Sequence, residues 1–152
     1  MKHIANYLVR TEIAEKALTA GFQKIKNEHA LETDVVEMCE KFIQWSNRHL
    51  EATRKLLPQF QEVPVTESAE HPNSLLENLQ IGSFGLLQDL HAISILIHDA
   101  QMCWVVLLQG SKALRNIEME TICLECEADC KAEATWLSTK MKNAAPQALV
   151  VA

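Results

Sequence analysis

Few side chains in this chain of 152 residues combine a reactive type with a spacing that could put it to use. Helical periodicity places Glu15 on an apolar stripe with Leu8, Thr11, Leu18 and Phe22. It places His49 near the centre of another, among Met38, Phe42, Trp45 and Leu56. A polar group on such a stripe loses its hydration on burial and must find a partner. Counted outward from a turn near Ala30, Glu15 and His49 fall within about one helical turn of each other, so they can meet inside a bundle. Counted from Gly110, Asp89 and Glu133 come level in the same way, at the edges of their apolar faces. Carboxylates and an imidazole projecting from facing helices are what a non-haem Fe or Mn centre requires. The same residues have a second reading, in which Glu15–His49 is a structural hydrogen-bonded pair and Asp89 and Glu133 are partly exposed ends of a salt-bridged surface. Should a long connection cross the bundle, Asp89 lies toward the opposite end from His49 and the four residues form two half-sites.

The other reactive side chains give weaker patterns. Cys123, Cys126 and Cys130 lie at three- and four-residue spacing on one core-facing ridge, with Met119 and Met141 nearby. Soft ligands of this kind suit Cu(I), and an exposed thiol among them would suit redox sensing. The competing reading is core packing, since a free cysteine behaves as a small apolar residue. His91 and His98 are seven residues apart and flank an apolar stripe, whereas a metal pair on one helix uses three or four. His3, His29 and His71 fall at helix ends or in a connection and read as solvated. No Cys–His nucleophile or phosphate-binding loop is visible, and the GSFG at Gly82 lacks a lysine.

Four long helices must carry these residues. The pattern predicts helices over about 3–28, 33–57, 82–109 and 112–143. Asp34 with Glu37 forms a capping-box-like start for the second, and Pro58 stops it. Gly110 serves as the residue after the third and Ser111 as the cap of the fourth. Residues 58–81 form a polar connection punctuated by Pro58, Pro64 and Pro72, with a short helical turn at Ser74–Leu79. So long a connection fits a crossing of the bundle better than a tight turn. The apolar tail 144–152 is expected to pack back on the bundle or on a second subunit. The fold class expected is all-α, an antiparallel four-helix bundle in one domain.

Composition narrows the partners. The hydrophobic fraction is 48%, enough for a sizeable core at this length without disulfide staples. Net charge is −6 with no Lys/Arg stripe, which argues against nucleic acid and anionic membranes. Charged residues interrupt the N-terminal segment from the start, unlike a signal peptide, and the apolar run Leu90–Leu108 contains His91, His98, Asp99 and Gln101, so it reads as a core helix. The five cysteines fit reduced thiols, and the expected location is the cytoplasm.

Two helical hairpins, a long central connection and inward carboxylate and histidine residues resemble the ferritin-like superfamily over nearly the whole chain. The segments WSNRHLEATRKLLPQF and MKNAAPQALVVA resemble those of uncharacterised bacterial members. Under this resemblance Glu15 stands for the first-helix glutamate and His49 for the second-helix histidine. The Glu-x-x-His motif of the di-iron proteins is absent: Ser46 stands three residues before His49, and Trp136 three after Glu133. The expectation is therefore a non-catalytic bundle without an intact di-iron site, a homodimer or a protein-partner binder. The alternative is a mononuclear metal-binding protein using Glu15, His49, Asp89 and Glu133.

Overall fold

The computed structural model describes residues 1–61 and 82–151, and the predicted turn at Ser74–Leu79, His71 and most of the 58–81 connection lie outside them. Among the described residues the chain is helical throughout. The elements are α1 (Lys2–Glu28), α2 (Thr33–Leu56), α3 (Ser83–Ala113) and α4 (Ile117–Pro146), with a 3-10 turn at Leu57–Gln59 and a π-helical turn at Gln147–Val151.

The four helices pack against one another. The closest pairings are α1 with α2 and α3 with α4, and α1 also runs along α3. Buried small residues on α1, namely Ala5, Ala14, Ala17 and Gly21, let its neighbours approach closely. Between α2 and α4 the contact depends more on long side chains, including Phe42 against Trp136 at 5.9 Å and the Lys140–Asp34 and Lys55–Glu118 ion pairs. The apolar stripe of α3 (Leu86, Leu90, Ile93, Ile97, Ala100, Trp104, Leu107) is wholly buried. By length and composition α3 could cross a membrane, yet its inner face is packed among the other helices.

The helix ends differ from expectation in instructive ways. Asp34 and Glu37 make no capping box. Glu32 precedes the helix without a side-chain cap, and Asp34 is drawn away to Lys140 Nζ at 2.8 Å. Gly110 and Ser111 are not a stop and a start, because α3 continues to Ala113. The chain reverses at Arg115, whose φ of 53° is left-handed, and Asn116 Oδ1 caps α4 by accepting from the Met119 N–H at 3.1 Å. Gly110 keeps a helical place beside α1, where a Cβ would lie 4.0 Å from Ile4 Cδ1, and the buried Ser111 hydroxyl donates to the Leu108 carbonyl. Helix α4 outlasts its predicted end at Asn143 by three residues and takes in Pro146, which gives up one backbone hydrogen bond there. The tail continues α4 as the π-helical turn rather than reversing, and touches α3 with Ala148 buried and Leu149, Val150 and Val151 exposed.

Candidate metal centre

All four helices contribute to one buried polar cluster. Helix α1 supplies Glu15 and α2 supplies His49, 0% and 2% exposed, from the stripes that periodicity assigned to them. Helix α3 supplies Trp104. Helix α4 supplies Cys126, Asp129, Cys130 and Glu133, whose spacing of three, one and three residues places them on a single face.

His49 sits between two carboxylates. Its Nδ1 lies 2.8 Å from Glu15 Oε1 and its Nε2 lies 2.9 Å from Asp129 Oδ2. The Trp104 indole N–H also donates to Glu15 Oε1, at 2.9 Å, and its ring meets the imidazole edge-on at 5.8 Å. Asp129 is the outermost member, partly exposed and 3.4 Å from Arg48 Nη2. Burial disfavours a charged imidazole here. Hydrogen bonding with Cys126 and Glu15 outweighs that and pushes His49 up to about 11. Burial also raises the Cys126 thiol, with its hydrogen bond to His49 opposing.

The cluster contains a deficit as well. Among the described residues, Glu15 Oε2, both oxygens of Glu133 and Ser46 Oγ are buried without a hydrogen-bond partner. An unsatisfied buried group costs about 1–3 kcal/mol, more when charged. Burial, reinforced by the negative charges of Glu15 and Asp129 and opposed by His49, pushes Glu133 up to about 8. Burial and the neighbouring carboxylates raise the Cys130 thiol still further. Ligand atoms of Glu15, His49 and Cys130 all lie within 4.8 Å of one another, a grouping able to hold a metal ion.

Of the four residues singled out in the sequence, Glu15, His49 and Glu133 come together in this cluster. Asp89 does not join them. It is buried and bonded to His29 Nε2 at 2.6 Å, so His29 is a core residue rather than a solvated one, and neither Asp89 nor Glu133 is an exposed surface end. Sequence reasoning missed four members. Asp129 was legible as the residue three after Cys126 and four before Glu133, on their face. The Trp104 N–H had to find an acceptor once the ring was buried. Cys126 and Cys130 were grouped with the other cysteines rather than with the carboxylates. All five cysteines are free and buried, as expected of core thiols.

Compared with known proteins, the chain matches no family model, no curated protein and no solved structure.

Proposed function

We propose that this protein is a ferritin-like, antiparallel bundle that holds a single divalent transition metal in its core, through Glu15, His49 and Cys130 with Glu133 as a further carboxylate. Partner residues along the helices support the topology. Asp34 meets Lys140 while Lys55 meets Glu118, so α2 and α4 run in opposite directions. Arg10 meets Asp99 while His29 meets Asp89, so α1 and α3 do the same. With α1 and α2 joined by a short turn, α2 ends and α3 begins at opposite ends, the crossover plan of ferritin-like bundles.

The observation that carries the metal reading is the set of orphaned carboxylate oxygens beside an imidazole and a thiol. Two ligands at the tetrahedral angle of a zinc site, with bonds of about 2.1 Å, stand about 3.4 Å apart. His49 Nδ1 and Glu15 Oε1, 2.8 Å apart and hydrogen-bonded, would have to part by about half an ångström as Nδ1 gives up its proton for the metal. Asp129 would then hold the Nε2 proton, the outer carboxylate that fixes a metal-bound histidine. A thiolate in the donor set favours Zn(II) or Fe(II) over Mn(II), the soft ligand shifting the choice from the metals expected from carboxylate and imidazole alone. Such a buried site suits holding a metal rather than turning over a substrate.

A second reading rests on a specific observation: both His49 nitrogens already have carboxylate partners. A charged Glu15–His49–Asp129 triad would then fix helix register with no metal.

Metal analysis of untagged protein purified without chelators separates the two readings. The expected result is about one equivalent of zinc or iron, or its uptake on addition. Saturating metal at about 100 times its dissociation constant adds about 2.7 kcal/mol, a Tm rise on the order of 5–10 °C. Cobalt(II) loading should give a thiolate charge-transfer band that Cys130→Ser removes. Less than about one-tenth equivalent after incubation with either metal, with no Tm change, would leave only the structural triad.

A further inference from the structure

An ion held in the core must reach it through the packed helices. Among the members of the cluster, Asp129 is the one in partial contact with solvent. Its side chain is 23% exposed, against 2% for His49 and 0% for Glu15. Asp129 faces both ways, with Oδ2 2.9 Å from His49 Nε2 on the inside and 3.4 Å from Arg48 Nη2 on the outside. The Arg48 side chain is 62% exposed. The imidazole therefore spans the wall, with Nε2 toward Asp129 and Nδ1 toward Glu15.

The wall is also loosest there. Among the described residues, α2 with α4 is the least closely packed of the four adjacent helix pairings. Along that seam the facing side chains run Asp34 with Lys140, Phe42 with Trp136, Arg48 with Asp129, and Lys55 with Glu118. The first and last pairs lie toward the ends of the helices, and the second is aromatic. Arg48 with Asp129 is the polar break beside the cluster. An exposed ion pair of such length holds weakly and opens readily, because solvent competes for both partners.

We propose that Arg48 and Asp129 gate the metal centre, a device that rests on the metal reading above. The divalent cation enters between α2 and α4, takes the place of the Arg48 guanidinium on Asp129, and passes the His49 ring to the inner ligands. With the pair closed, the guanidinium repels the ion and covers the carboxylate. With it open, Asp129 attracts the ion. A unit charge about 5 Å from a divalent ion changes the chance of its arrival about fivefold at moderate salt. Arg48 is no ligand, so it alters entry and exit alike and leaves the equilibrium affinity where it was.

Stopped-flow mixing of the metal-free full chain with cobalt(II) chloride, followed at the thiolate charge-transfer band, tests this. Arg48→Ala should load about fivefold faster and release to a chelator about fivefold faster, with its affinity within about twofold of the parent's. Asp129→Asn should load about fivefold more slowly, and its rate should depend less on salt than the parent's. Arg54→Ala is the control. It removes the same charge from the α1–α2 seam, where Arg54 lies 3.8 Å from Glu12, and should load at the parent's rate. Both arginines are well exposed, so these variants should keep the circular dichroism of the parent. Equal rates in the parent and Arg48→Ala overturn the gate. So does faster loading with unchanged release, which would make Arg48 merely a charge near the bound ion. An Arg54→Ala protein that loads as fast as Arg48→Ala also overturns it, since net charge and not place would then set the rate. A chain that takes up no cobalt at all removes the centre and the gate together, whereas uptake indifferent to Arg48 and Asp129 removes the gate alone.

Discussion

At the scale of the residue, Glu133 is the most informative side chain, because its environment satisfies neither oxygen. Burial lifts its folded pKa from 4.5 to about 8. A raised carboxyl contributes fully below its unfolded pKa, and that contribution is lost as pH rises through the folded value. Metal-free protein should therefore lose stability between about pH 4.5 and pH 8, by on the order of 2–5 kcal/mol. Glu133→Gln removes the titration and should flatten the dependence, ending more stable than the parent above pH 8. Urea unfolding of both proteins across that range measures it, and a parent curve as flat as the variant's would refute the assignment. Metal-loaded protein should slope the other way, since its ligands must be deprotonated. His49 behaves differently. Its pKa is raised to about 11 by groups that stabilise its charge, so its contribution is complete below about 6.5 and is lost steadily from there up to about pH 11, a slope that the parent and Glu133→Gln share. Removing it by His49→Ala leaves Glu15 buried with the Trp104 N–H alone and should cost about 3–5 kcal/mol.

At the scale of the element, the turn between α3 and α4 shows how local signals mislead. Gly110 followed by serine reads as a helix stop and cap, yet Gly110 is helical and a Cβ there would make only ordinary contact with Ile4. Gly110→Ala should therefore stabilise the protein, by about 1 kcal/mol. Were Gly110 in the left-handed conformation the sequence suggested, the same change would destabilise it, so the sign of the ΔTm decides. The actual stop is at Arg115 and the cap at Asn116, three residues after Ala113. Propensity is a weak prior here because the last turn of α3 packs on α1, and that packing outweighs the cost of a helical glycine. The same competition disposed of the Asp34–Glu37 capping box, where an ion pair with α4 claimed the capping carboxylate.

At the scale of the whole molecule, two buried histidine–carboxylate pairs sit at different levels of the four packed helices. The Glu15–His49–Asp129 triad ties α1, α2 and α4 together. His29, just past α1, pairs with Asp89 near the start of α3 and ties the C-terminal end of α1 to it. Burial raises the Asp89 carboxyl, with His29 opposing, so an isolated carboxylate there would be costly. His29→Ala should destabilise by about 3–5 kcal/mol, because it strands Asp89 in the core. Asp89→Asn keeps a hydrogen-bonding group and should cost less. Equal losses from the two variants, measured by chemical denaturation, would show that the pair carries no such charge burden.

Sequence by itself determined that the chain is helical, where α1 and α2 lie, and which residues line the core. These follow from a 3.6-residue period that each helix expresses alone. It also singled out Glu15 and His49, because a polar residue within an apolar stripe is visible without knowing what it meets. Tertiary structure alone decided the partnerships. Asp89 and Glu133 were aligned by counting from a turn placed at Gly110, whereas the chain turns at Arg115, so the counting fails by several residues. Asp129, Cys130 and Trp104 joined the cluster because α3 and α4 bring them to the level of Glu15, a distance in space that no spacing along one helix records.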